Sequence, residues 1–151
     1  MFFLAIGGLL KKILADDMVE NSPAPELVST LAEDIIEPEI LQRTQQVMAQ
    51  EQLFLNSELS LKEFATTLKM AARKISNHIN TGLGLTFIDF VNGFRVAEVK
   101  RWMASGEAKD LSLFGMAMDF GFNSKSTFNR AFRKITEKTP SDYQNTVQNQ
   151  S

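Results

Sequence analysis

Two short stretches of the chain carry the same alternation of apolar and polar positions. At about 100° per residue, Phe128, Ala131, Phe132 and Ile135 fall on one stripe of a helix. Ser126, Asn129, Arg130 and Arg133 fall on the opposite side, with Lys125 at its edge. In the other stretch Ala72, Ile75 and Ile79 form the stripe, and Arg73, Ser76, Asn77 and Asn80 form the polar side. Each predicted helix therefore buries one face and shows amides, hydroxyls and arginines on the other, with no acid among them.

The likeness extends upstream of both stretches. Leu59 to Met70 aligns without a gap on Leu111 to Phe122 at an offset of 52, pairing Leu59, Ser60, Leu61, Phe64, Ala65, Leu68 and Met70 with Leu111, Ser112, Leu113, Met116, Ala117, Phe120 and Phe122. After one extra residue, Asn123, the offset becomes 53, so that Ile75 falls on Phe128, Ile79 on Phe132 and Asn77 on Arg130. The chain thus contains a duplicated unit of about twenty residues, each copy made of two short helices. Ser60 and Glu63 have the spacing of a capping box, whereas Ser112 is followed by Gly115, which offers no return partner. Gly121 suits the left-handed turn between the paired helices. Lys69 occupies that place in the first copy, which predicts a more strained or differently shaped turn.

Between the copies, Thr86 to Ala104 reads as one long helix with Phe87, Val91, Phe94, Val99, Trp102 and Met103 on its apolar face. Loosely helix-spaced Ile40, Leu41, Val47, Met48 and Phe54 predict a first helix within Glu39 to Phe54. Thr139-Pro140-Ser141-Asp142 signals a final short helix: a cap, a proline at the first helical position and an acid in the first turn. Gln144 to Ser151 reads as a frayed polar tail. Nothing reads as a sustained strand. Trp102 and most of the twelve phenylalanines are expected in the core, with Met70, Met103, Met116 and Met118 as filler. His78, at the margin of its stripe, is read as packed or solvated, with a phosphate contact as the other reading.

Upstream of Glu39 the pattern breaks down. Met1 to Leu10 is apolar and is followed by Lys11 and Lys12, a run about half the length a membrane helix needs. A short amphipathic segment packed on the domain is favoured over the cytoplasmic end of a membrane span. Residues 15–38 are acidic and are broken at Asn21-Ser22-Pro23-Ala24-Pro25, with a short helix expected from Glu26 to Ile36.

Charge sharpens this division. The chain of 151 residues has a net charge of −2, yet residues 1–59 hold three Lys/Arg against ten Asp/Glu, and residues 60–145 hold thirteen against eight. An acidic front and a basic back suggest two tasks, the basic one toward an anionic partner. With no cysteine and one histidine, a disulfide scaffold, a thiol nucleophile, a thiolate metal site and a multi-histidine centre are excluded within one chain. No Ser/His/Asp constellation, phosphate loop or paired-carboxylate arrangement is visible, so neither catalytic residues nor a cofactor or metal is expected.

Residues 39–145 resemble the DNA-binding domain of the AraC/XylS family of bacterial transcription regulators. The most specific stretch is Met116 to Lys134, with its Ala117, Gly121-Phe122 turn, serine-rich helix start and Phe128/Phe132 pair, closed by Thr139-Pro140-Ser141-Asp142-Tyr143. Ile75 to Asn80 and Phe90 to Val96 resemble members whose DNA-binding half follows a membrane-embedded or sensory region. The first copy departs from the family pattern at Ala71, Lys69 and Asn77, where members often carry serine, glycine and arginine, so its half-site is expected to be read more loosely. Glu137-Lys138 replaces a glycine-containing turn.

The resemblance implies an all-α fold: two helix-turn-helix subdomains joined by the long central helix, behind a helical or irregular N-terminal extension. It implies a non-enzymatic, cytoplasmic regulator that binds double-stranded DNA sequence-specifically through the major groove. By motif position, Arg73, Ser76 and Asn77 in the first unit and Lys125, Ser126, Asn129 and Arg130 in the second are the base-reading candidates. Arginine suits guanine, asparagine suits adenine and serine adapts to either. Lys74, Arg133 and Lys134 are the phosphate-holding candidates. RNA polymerase is an expected partner if the protein activates. The expected organisation is an apolar segment and acidic linker over 1–38, the double helix-turn-helix domain over 39–145, and a disordered tail over 146–151. Residues 1–38 are too few for the sensing domain many members carry, so the chain either works alone or ends a longer sensor. The alternative is the output fragment of a membrane-linked sensor, with residues 1–14 serving attachment or protein interaction.

Overall fold

A computed structural model describes residues 35–107 and 112–150. The expected apolar segment, nearly all of the acidic linker, most of its Glu26–Ile36 helix, and Leu111 of the repeat lie outside the described residues. The described residues form seven α-helices and one 3-10 turn, with no strand among them.

Helix α1 (Pro38–Gln50) starts on proline, whose missing N–H is no loss in a first turn, and buries Ile40, Leu41, Thr44 and Met48. The buried Thr44 hydroxyl donates to the Ile40 carbonyl at 2.7 Å. A 3-10 turn (Leu53–Leu55) then inserts Phe54 into the interior. Helices α2 (Leu61–Leu68) and α3 (Ala72–Leu83) form the first helix-turn-helix unit. Helix α4 (Phe87–Ser105) follows, and α5 (Leu113–Asp119) and α6 (Lys125–Thr136) form the second unit. Helix α7 (Pro140–Gln148) closes the chain, so residues expected to fray from Gln144 onward are helical as far as Gln148.

The expected caps are formed. The Ser60 hydroxyl oxygen accepts from the Glu63 N–H, and the Glu63 carboxylate accepts from the Ser60 N–H at 2.8 Å. That bond, ahead of the one from the Ser60 hydroxyl, holds the Glu63 carboxyl below its ordinary range. The side-chain oxygens of Ser112, Ser124, Thr86 and Thr139 accept from an N–H in the first turn of α5, α6, α4 and α7, while Ala71 leaves α3 without a side-chain cap. The two inter-helix turns have the same hand: Lys69 sits at φ 56° and Gly121 at φ 95°. The lysine accepts a conformation that costs a side chain about 1 kcal/mol.

Two hydrophobic cores share one rod. Met48, Phe54, Phe64, Leu68, Ile75 and Ile79 form the first core with Phe90 and Val91 of α4. Met116, Ala117, Phe122, Phe128, Ala131 and Phe132 form the second with Val96, Val99 and Met103 of the same helix. Each fully buried phenylalanine contributes about 1.5–3 kcal/mol relative to exposure. The rings meet in edge contacts, Phe128 on Phe132 at 5.7 Å and Phe132 on Tyr143 of α7 at 5.4 Å. Trp102 is half-buried against the second core.

Two residues expected inside lie at the surface. Met118 is 53% exposed, on the outward side of α5, where its counterpart in the first unit is the exposed Thr66. Ile135 is 40% exposed although it continues the α6 stripe. Its counterpart, Gly82, is buried, and an added Cβ there would come within 2.9 Å of Leu41 on α1. Helix α1 covers that position in the first unit, and Ile135 has no comparable cover among the described residues.

Candidate nucleic-acid interface

Helices α3 and α6 begin and end in register. Their first residues, Ala72 and Lys125, are 53 apart, and so are their left-handed C-caps, Gly84 at φ 67° and Glu137 at φ 62°. Equivalent positions are buried in both: Ile75 with Phe128, His78 with Ala131, Ile79 with Phe132. The opposite faces are therefore equivalent as well, because burial fixes the rotation of a helix about its axis.

On α3, Arg73 and Lys74 are exposed, and Ser76 and Asn77 are half-buried. Asn80 reaches back so that its amide donates to the Ser76 hydroxyl at 3.5 Å. Lys74 is paired with Glu37, Nζ to Oε1, at 2.8 Å. That contact is the main reason the Glu37 carboxyl lies below its ordinary range. His78 is buried: its Nε2 accepts from the Glu37 N–H at 3.1 Å, and Nδ1 bonds the Lys74 carbonyl at 2.8 Å. The register with Ala131 already marks His78 as an inward position, a signal that the stripe of the first copy alone does not show.

On α6, Lys125, Ser126, Asn129, Arg130, Arg133 and Lys134 are all exposed. Lys125, Asn129, Arg130, Arg133 and Lys134 line one open cleft of about 990 Å³, together with Ser112 at the start of α5 and Thr139 to Ser141 at the start of α7. Ser126 does not line it. Four cationic side chains and one amide thus converge beside two helix N-termini, an arrangement that favours an extended polyanion. Lys134 is paired with Asp89 of α4, Nζ to Oδ2, at 2.8 Å, which holds the Asp89 carboxyl below its ordinary range. Among the described residues, no helix is long and apolar enough to cross a membrane.

These features define a protein built around paired helix-turn-helix units. A helix-turn-helix domain model matches residues 64–146, more than half of the chain. The chain belongs to the AraC-type helix-turn-helix family, whose members are DNA-binding transcription regulators. It is 34% identical over 83 residues to the ornithine utilization regulator of Pseudomonas aeruginosa, covering 55% of this chain and 23% of that protein. It is 28% identical over 87 residues to an uncharacterized HTH-type transcriptional regulator of Bacillus subtilis, covering 58% of this chain and 11% of that protein. The chain thus spans less than a quarter of either relative. Among solved structures it is similar to the C-terminal domain of AraT, a response regulator from Geobacillus stearothermophilus, with a TM-score of 0.60, 25% identity, and coverage of 74% of this chain and 87% of that one. The C-terminal domain of the two-component response regulator yesN from Fusobacterium nucleatum shares the fold, with a TM-score of 0.57 at 20% identity, covering 70% of this chain and 98% of that one.

Proposed function

We propose that the protein reads duplex DNA with two recognition helices, α3 and α6, laid in successive major-groove segments. The observation that carries this reading is the repetition of the helix face: the same positions are buried in both helices, leaving an equivalent donor-rich face on each. In this reading Arg73, Ser76 and Asn77 read bases in one half-site, and Lys125, Ser126, Asn129 and Arg130 read bases in the other. Lys74, Arg133 and Lys134 hold phosphates, which sets the register without reading sequence. The absent cap on α3 and its half-buried Ser76 and Asn77 make the first half-site the more loosely read of the two. Residues 39–145 act as the output domain of a cytoplasmic regulator, contacting RNA polymerase where it activates.

The test is selection of binding sites from random duplexes, followed by salt titration on the selected site. Two short motifs about one helical turn apart are expected, with affinity falling steeply between low and moderate salt. Enrichment of no motif, or of one motif alone, would overturn the two-headed reading.

A further inference from the structure

Arg95 lies in the middle of α4, between the two cores, and is only 8% exposed. Its Nε donates to the Phe54 carbonyl at 2.8 Å, and one terminal nitrogen donates to the Asn56 carbonyl at 2.9 Å. The other terminal nitrogen donates to the Asn92 side-chain oxygen at 3.2 Å. Phe54 and Asn56 belong to the loop that leads into the first unit. On its other side the guanidinium lies over the ring of Phe122, 5.7 Å from the centroid, and Phe122 belongs to the second core.

The adjacent turn is equally tight. A Cβ added to Gly121 would fall 2.3 Å from the Phe54 carbonyl oxygen and 2.8 Å from Arg95 Nε. The inter-helix turn of the second unit therefore rests directly on the loop of the first, and Arg95 is the side chain that joins them. Its charge is met by backbone carbonyls and an amide oxygen, and burial alone lowers its pKa. A buried guanidinium with fixed acceptors is costly to displace, because every donor it loses is left without water. The planar fork also fixes direction, which a lysine does not.

We infer that Arg95 is a positioning residue which, wedged with Gly121 between the two units, sets the separation and rotation of α3 relative to α6 and so the half-site spacing that the protein accepts. The DNA consequence rests on the reading of α3 and α6 as twin recognition helices; the mechanical part does not. One inserted base pair rotates a half-site by about 35° and moves it by about 3.4 Å. A rigid seam makes such a change expensive, and a loosened seam tolerates it.

The experiment separates the two parts. The chain has no cysteine, so spin labels at Asn80→Cys and Arg133→Cys report the distance between equivalent positions of the two helices without DNA. A narrow distribution is expected for the otherwise unchanged protein, a broader one for Arg95→Lys, and a shifted mean for Gly121→Ala, whose methyl strikes the Phe54 carbonyl. Thermal unfolding of each variant identifies those that remain folded. A broad distribution without either seam substitution overturns the inference, and so does an unchanged width in folded Arg95→Lys. The unlabelled protein is then titrated on duplexes whose spacing is changed by one base pair. The native chain is expected to lose about tenfold or more in affinity, and Arg95→Lys less than about threefold. Equal losses in the two proteins overturn the spacing role. A native chain that binds no two-part site at all instead overturns the proposed function, and leaves the distance result to stand on its own.

Discussion

Lys134, near the end of α6, reaches Asp89 in the first turn of α4, 45 positions earlier, with Nζ 2.8 Å from Oδ2. The ion pair ties α6 to the start of the helix that both units share. It also occupies a cation that the proposed interface assigns to DNA phosphate. Lys74, in the first turn of α3 rather than at the equivalent place, is likewise held by an acid, Glu37. Both pairs are solvent-accessible, and exposed pairs are worth about 1 kcal/mol or less, so a phosphate can compete for either lysine.

Replacing Asp89 by asparagine should therefore release Lys134 and remove a negative charge beside the cleft. At low salt, affinity for a selected duplex should rise by about threefold. Lys134→Ala should lower affinity and flatten the log–log salt slope by about 1. Fluorescence anisotropy at several salt concentrations measures both, and an unaltered slope in Lys134→Ala would remove that residue from the phosphate contacts.

The same pair makes a pH prediction. The Lys134 ammonium is the main cause of the lowered Asp89 pKa, with Thr86 contributing through its hydroxyl. A carboxyl whose folded pKa lies below its unfolded value of about 3.9 stabilises the fold above that value. The stabilisation is lost as pH falls through the depressed folded value. Urea unfolding should show native protein more stable than Asp89→Asn by about 0.5–1 kcal/mol at pH 7, with the gap closing below pH 4. A gap that persists at pH 2.5 would assign the effect to something other than charge.

Arg130→Ala should weaken binding to a selected duplex by about 1–3 kcal/mol and relax preference at one or two base positions. Asn77→Ala, at the equivalent place on α3, should do less, because that asparagine is half-buried on an uncapped helix. Competition titrations against duplexes substituted at single positions distinguish local loss of preference from a uniform loss of affinity.

Helix α3 has a repairable start. Ala71 stands where Ser124 caps α6 by accepting from the Thr127 N–H at 3.1 Å, and its backbone already has the extended conformation of a cap, φ −66° and ψ 135°. Ala71→Ser should stabilise the protein by about 0.5–1 kcal/mol, and Ser60→Ala should destabilise it by about 1 kcal/mol. Guanidinium unfolding midpoints measure both, and a neutral Ala71→Ser would mean that the serine does not reach its N–H.

The parts of the fold that were legible in the sequence rest on local physics. Ser60 with Glu63, Thr139 with Pro140, and the stripes through Ile75 and Phe128 announce helices because caps and burial repeat at the spacing of a helical turn. Ile135 and Met118 misled because periodicity says which face a residue is on, and not whether another helix covers it. For the site, the outward faces of α3 and α6 followed from the stripes and the family motif. The cleft did not, since it needs the start of α7 folded against α6. Arg95 was invisible for a related reason: it lies on a helix with partners 39 and 41 positions away, and no spacing rule reaches that far.

Helix α4 is the floor of both hydrophobic interiors, with Phe90 and Val91 serving one and Val96, Val99 and Met103 the other. Neither helix-turn-helix unit can consequently be cut away without stripping apolar surface from what remains. The pair should melt in one calorimetric peak, and a half-length excision should aggregate where the intact domain stays in solution. The sequence repeats its unit twice, yet the shared beam makes the two copies a single folding object.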